Sequence, residues 1–309
     1  MNQPIPGVDS LPSWKLRLLE RIQSISADHT QLLREGFPVY QPHFGSADIA
    51  LQTWRRQLLV LEAHREEITV HALAVDIPTE AVHHVGETGA QGVRWGHSVH
   101  SPLTMREGED PVRARMIEGI AGDIWQLEHM AVMRVEHQQR ALDRHFPADD
   151  PRWQFDANIL ALWTRAAQTA QVIGLTASER AELWGRDEAG WQRLAALTVR
   201  GYDNAELHQR WQTYSWRGIE HAARLDVESL PERKPIQEPG NEPPRPHTLI
   251  ERATTALNSL NGFTPQDADT GVGEAIEAVL DTDTALGWDS TATAHTDQHP
   301  PDPSVEHEI

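Results

Sequence analysis

The run SADIALQTWRRQLLVLEAHREEITVHALAVDIP, residues 46–78, decides how this chain is read. Leu51, Trp54, Leu58, Leu61, Arg65, Ile68, Ala72 and Val75 recur at alternating steps of three and four residues. That is the seam of a coiled-coil helix. It predicts a helix from Ser46 or Asp48 to about Asp76, roughly 45 Å long at the helical rise. Pro78 then suits the first turn of a new helix, where a missing N–H costs nothing. Upstream, Leu18, Ile22, Ile25, His29 and Leu32 repeat the seam between Ser13 and Leu33. Gly36-Phe37-Pro38 and Phe44-Gly45 break the pattern between the two. The two stretches predict an antiparallel coiled-coil hairpin over 13–76 whose second helix outruns its partner. Ile68, Ala72 and Val75 then need another surface to cover them.

The rest of the chain reads as further helices. A short one follows Pro78 and weakens after His84, because Gly86, Gly89 and Gly92 each cost roughly 1 kcal/mol relative to Ala. The longest apolar pattern runs from Pro111 to Phe146, through Ile117, Ile120, Ile124, Leu127, Ala131 and Val135. Helices are also expected over 150–174, 179–184, 191–202 and 204–228, with Thr176-Ala177-Ser178-Glu179 as a capped start. No stretch of residues 1–230 alternates with the period of a strand. The expected fold is all-α: an elongated helical bundle built on the hairpin, with residues 1–12 as a flexible start. The body is expected to span 13–230, comprising the hairpin (13–76), the helix after the turn (77–95) and later helices (110–228). Pro231 begins a Pro-rich linker and an acidic tail to 309, expected to be mostly disordered. Two helical islands in it, 249–260 and 272–280, have apolar residues that could dock on a partner or on the body.

Composition narrows the function classes. The formal net charge is −19, and residues from 231 onward hold 15 acids against 4 bases. That balance opposes bulk attraction to nucleic acid or an anionic membrane. With no cysteine, thiol catalysis, Cys-ligated zinc and a disulfide framework are excluded. The N-terminus shows neither the basic nor the apolar region of a signal peptide, and no apolar run approaches the ~18 residues of a membrane span. A soluble, cytoplasmic protein is expected. Eleven tryptophans are many for this length, and core packing is the commonest use of Trp in helices.

Polar chemistry concentrates between His64 and Trp95. His64, Glu67 and His71 share one helical face, and Glu80-Ala81-Val82-His83 is a Glu-x-x-His. A di-iron bundle needs a second such motif and two more glutamates, and neither is present. Metal candidates are therefore His64, Glu67, His71, Glu80 and His83, with no complete ligand set and no cofactor implied. The corner 71–95 also partly matches a helix-turn-helix, with Asp76 where Gly is usual. Its second helix would offer Thr79, Glu80, His83, His84 and Glu87, with Arg94 at the far end, whereas base readers favour Arg, Lys, Asn and Gln. Gly86 to Gly92 lacks the strand and lysine of a phosphate loop. The candidate interaction residues are Thr79, His83, His84, Arg94 and Trp95 at the corner, and Trp211, Tyr214 and Trp216 near the end of the body.

Ile77-Pro78, Gly92-Val93-Arg94-Trp95, Trp125 with His129-Met130-Ala131-Val132, and Gly174-Leu175-Thr176 before Trp184 together carry a resemblance. Over roughly residues 13–228 the chain is similar to a family of uncharacterised actinobacterial proteins associated with plasmids and other mobile elements. The resemblance implies no activity, cofactor or catalytic residue. The function expected is that of a non-enzymatic interaction or scaffold protein, binding protein partners through helical surfaces or the tail, or pairing with itself. The alternatives are a DNA-associated accessory protein using the 71–95 corner and a metal-dependent helical enzyme.

Overall fold

The computed structural model describes residues 11–37, 47–96, 110–143, 152–231 and 242–262. Among them are ten α-helices and no strand. These are α1 (Ser13–Glu35), α2 (Ala47–Ala74), α3 (Thr79–Ala90), α4 (Pro111–Asp143), α5 (Arg152–Ile173), α6 (Ala177–Trp184), α7 (Glu188–Thr198), α8 (Asn204–Tyr214), α9 (Arg217–Glu228) and α10 (Pro246–Gly262). The all-α expectation holds. Residues 232–241, residues 263–309 with the 272–280 island, and most of the first twelve residues lie outside the described residues.

α4 is the axis. It packs against α5, α10, α8, α1, α6 and α7. Leu127 to Met133 are all buried, seven in succession, so this stretch is enclosed on every side rather than along one stripe. α1 packs against both α2 and α3. Along α2 the seam residues Leu51, Trp54, Leu58, Leu61 and Arg65 are half-buried between exposed neighbours, and Ile68 and Ala72 are fully buried. Burial therefore follows the three-four spacing. It deepens toward the C-terminal end of α2, where Lys15 of α1 still reaches the Val75 carbonyl, so this end does not outrun α1 as expected; α2 also packs on α7. Trp54 Nε1 donates to the Leu32 carbonyl at 3.3 Å, pinning the end of α1 to α2.

Glycine chemistry sets the fit of α3. A Cβ at Gly89 would lie 2.4 Å from the Gln23 carbonyl oxygen and 2.6 Å from Ser26 Cβ, so only glycine permits this approach to α1. Gly92, at φ 86°, turns the chain out of the helix. The capped start expected at Thr176 is present as a full capping box with Glu179, though α6 begins two residues earlier than expected.

Two expectations change. The helix expected over 204–228 is broken at Ser215-Trp216 into α8 and α9. Asn158, fully buried on α5, donates to the carbonyls of Tyr214 at 2.6 Å and Trp216 at 3.0 Å. Those carbonyls thus find a partner outside the helix ladder, and the break costs little. Second, the folded unit does not end at 230. α10 packs on α4 and α7 and buries Leu249, Ala253, Ala256 and Leu257. Trp163 Nε1 donates to the Pro243 carbonyl at 3.2 Å and holds the approach to it. The helical island expected over 249–260 is thus present as α10 and docks on the body, with its apolar face in the core.

Burying one leucine is worth about 1.5–3 kcal/mol. Ending the chain at Leu230 is therefore expected to lower the thermal midpoint sharply and remove helicity beyond that of α10 itself. Ending it at Gly262 should leave both near those of the full chain. Circular dichroism melts of the two truncations check this.

Candidate functional site

The corner between α2 and α3 is the best defined polar site, and its sequence dictates its shape. Asp76 takes φ 61°, the sole left-handed non-glycine residue among those described. Asp tolerates that region better than most side chains. The carbonyls of His71, Leu73 and Ala72 accept from the backbone N–H groups of Val75, Asp76 and Ile77, and those of Ala74 and Val75, at the negative end of the helix dipole, are met by side chains. Cations from three elements meet them. Lys15 Nζ of α1 donates to the Val75 carbonyl at 2.5 Å, Arg186 of the α6–α7 loop donates to the Ala74 carbonyl, and Arg193 of α7 pairs with Asp76. Arg186 also donates to Glu128 Oε2 from Nε at 3.0 Å and from Nη2 at 2.7 Å. Glu128 lies buried in the enclosed part of α4. Burial pushes its carboxyl above the usual range while Arg186 pulls it down. The corner is thus a joint, bolted to the core through its own backbone.

Inward from the joint runs a continuous column of rings. His71 of α2 stacks on Trp125 of α4 with centroids 4.4 Å apart, and Trp125 stacks on His129 at 5.5 Å. His129 meets Tyr214 of α8 edge-on at 5.5 Å and shares a 2.8 Å hydrogen bond between Nδ1 and the hydroxyl. Tyr214 meets Phe155 of α5 edge-on, Phe155 stacks on Trp211 at 3.8 Å, and Trp211 stacks on His137 at 4.2 Å. Burial holds His71 and His129 down to about 3, helped by Arg186 and Arg21 at His71 and by Arg210 at His129. Both rings are neutral at physiological pH. Burial pushes the Tyr214 hydroxyl up, so it stays protonated.

The expected metal candidates are dispersed. His64, Glu67, Glu80 and His83 are exposed, and His83 lies 3.4 Å from Glu87. His71, on the same helical face as His64 in the sequence reading, is turned into the core against Trp125. Among the described residues no three His, Asp or Glu side chains come together as a metal site. The interaction candidates divide as well. Thr79 and Trp216 are exposed, His84 is half-buried, and exposed Arg94 is tied to Asp28 and to Gln31 at 3.1 Å. Trp95 is half-buried against the core, Trp211 is buried between Phe155 and His137, and Tyr214 is committed to His129. As a recognition helix, α3 would present Thr79, Glu80, His83 and Glu87, with no Arg or Lys within it.

Periodicity did not reveal the ring column. Trp125, His129 and His137 follow one face of α4 at steps of four and eight, and Trp211 and Tyr214 follow one face of α8. Those spacings were the available signal, though nothing local says that the two faces meet. A second feature the sequence reading missed is a groove of about 480 Å³ between α1 and α2, floored by Leu32, Val60 and Leu61 and rimmed by Asp28, Arg56 and Arg94. No described helix is long and apolar enough to cross a membrane. Compared with known proteins, the chain matches no family model, no curated protein and no solved structure.

Two expectations follow from the joint and the column. Removing one member of a buried ion pair leaves an uncompensated charge, at a cost of about 3–5 kcal/mol. Arg186→Met is expected to lose about that much in urea unfolding, and adding Glu128→Leu should recover a large part. For pH, the unfolded chain protonates His71 and His129 near 6.5, while the folded chain resists until about 3. Their contribution is intact above pH 6.5 and declines as pH falls, by up to about 1.4 kcal/mol per pH unit for each ring. Unfolding free energies measured at pH 7, 6 and 5 should fall accordingly, and His71→Phe should flatten the slope.

Proposed function

We propose that this chain is a non-enzymatic interaction protein, a helical scaffold serving a plasmid or other mobile element, as the resemblance of its body implies. One observation carries the interaction reading. Outside the half-buried seam, α2 exposes Leu59 at 66%, Val60 at 60%, where it borders the groove beside α1, and Ile49 at 56%. Apolar side chains gathered on one exposed helix, and outside its core face, are a recognition surface more often than idle surface.

The polar groups support the same reading. Buried histidines, Glu128 and Arg186 are engaged in packing and in bolting α2 to α4, and α3 displays acidic rather than base-reading side chains. In this reading α1 and the first half of α2 form the expected antiparallel coiled-coil arm. The acidic segment after Gly262 is assigned a share in partner binding on composition alone. Trp216, 69% exposed at the start of α9, offers a further aromatic anchor.

Photo-crosslinking from position 59 in the host cell tests the proposal. A covalent adduct with another polypeptide is expected, and its absence from positions 49, 59 and 60 alike would overturn the reading. Leu59→Gln is expected to leave stability within about 0.5 kcal/mol, since the side chain is exposed, while abolishing the adduct formed from position 49.

A further inference from the structure

We propose that α2 pairs, antiparallel, with α2 of a second copy of this chain. The inference rests on the interaction reading above and names its partner. Half of the observation is a second seam. Ile49, Gln52, Arg56, Leu59, Ala63 and Glu66 are all exposed, and the series continues to half-buried Val70. Their steps are three, four, three, four, three and four, so they form one line along the helix. At 100° per residue this line lies on the side opposite Leu51, Trp54, Leu58 and Leu61. The four-residue apolar run Leu58 to Leu61 explains how both lines are served. Leu58 and Leu61 are half-buried on the seam, Leu59 is exposed on the second line, and exposed Val60 lies between the two, bordering the groove beside α1.

Charge supplies the other half and selects both partner and direction. The first part of the exposed line is basic, at Arg56 with Arg55 beside it, and the later part is acidic, at Glu66 with Glu67 beside it. All four are exposed. A parallel neighbour would set arginine against arginine and glutamate against glutamate. A two-fold axis crossing the helix at the level of Leu61 instead brings Arg55 and Arg56 opposite Glu66 and Glu67 of the second copy, and the reverse. The same axis sets Leu59 opposite the second copy's Ala63, and Gln52 opposite its Val70. Every position of the line from Gln52 to Val70 therefore meets another position of the line, as a two-fold contact requires, and Ile49 falls opposite half-buried Leu73 at the next step of the same spacing. A neighbour of any other sequence would have to supply this alternation by coincidence, whereas a second copy supplies it by symmetry.

Magnitude sets the expected strength. Exposed ion pairs are individually weak, and their gain here is orientation and register more than affinity. The formal net charge of −19 on each chain opposes association, but at physiological ionic strength that repulsion is screened beyond about 8 Å. A single helix pair with three large apolar side chains per copy falls at the small end of specific interfaces. Association in the range of about 1–100 µM is expected.

Sedimentation equilibrium of the full chain, up to about 200 µM, decides the matter. The wild type should form a dimer. Arg55→Glu with Arg56→Glu, and separately Glu66→Arg with Glu67→Arg, should each weaken self-association at least about tenfold with unchanged helicity. An equal mixture of the two double variants should form a heterodimer, because each then supplies the charge the other lost. A wild type that stays monomeric throughout, or charge variants that associate as the wild type does, would overturn the proposal. A monomeric wild type that still crosslinks from position 59 to a different polypeptide overturns the pairing but leaves the interaction reading standing. Absence of both removes the two together.

Discussion

Glu128 sits in the middle of a helix enclosed on all sides, and a buried carboxylate is tolerable only when a cation and hydrogen bonds come with it. Arg186 is that cation. It reaches Glu128 from the loop joining α6 to α7, and in the same position it caps the open carbonyl end of α2 at Ala74. A single guanidinium therefore couples three requirements: charge balance inside the bundle, closure of the α2 helix end, and docking of the α2–α3 corner. Lys15 and Arg193 complete the closure at Val75 and Asp76. The left-handed backbone at Asp76 persists because its neighbours on both sides are held this way. Such a joint is poorly suited to open and close.

The ring column extends the same logic to neutral groups. Three histidines lie buried on α2 and α4, and each stacks on a tryptophan, with His129 also bonded to the Tyr214 hydroxyl. Stacking gives large flat rings dense contact, and the neutrality of His71 and His129 avoids the burial of charge. The positive groups around His71, from Arg186 on one side and Arg21 on the other, reinforce that neutrality. Residues that drew attention as chemistry are thus explained by packing. The unexplained surface is elsewhere, on α2, where Leu59 and Val60 are largely exposed.

How much of this was legible in the sequence follows the range of the interactions concerned. The half-buried line Leu51, Trp54, Leu58, Leu61 and Arg65 was read correctly because helical spacing alone chooses which side chains share a face. Pro78 placed the start of α3, and Thr176 with Glu179 placed the start of α6 to within two residues, because caps are settled within a few residues. Spacing puts His71 on the face of His64, and only Trp125, more than fifty residues away, shows that it is drawn into the core. The break at Ser215 needed Asn158, and the docking of α10 needed α4 and α7. Neither partner leaves a trace near the residues it controls.

By itself, then, the sequence determined that this chain is helical, where most helices begin and end, and that its charge and lack of cysteine disfavour whole classes of chemistry. Those properties depend on propensity, capping and period, all of which act over a turn or two of helix. Tertiary structure alone decided that Arg186 joins Glu128 to the end of α2, that Trp211 and Tyr214 are core rather than surface, and that α10 belongs to the body. Each of these depends on two faces meeting across the bundle. The number of ways amphipathic faces can pair is too large for any one face to name its partner.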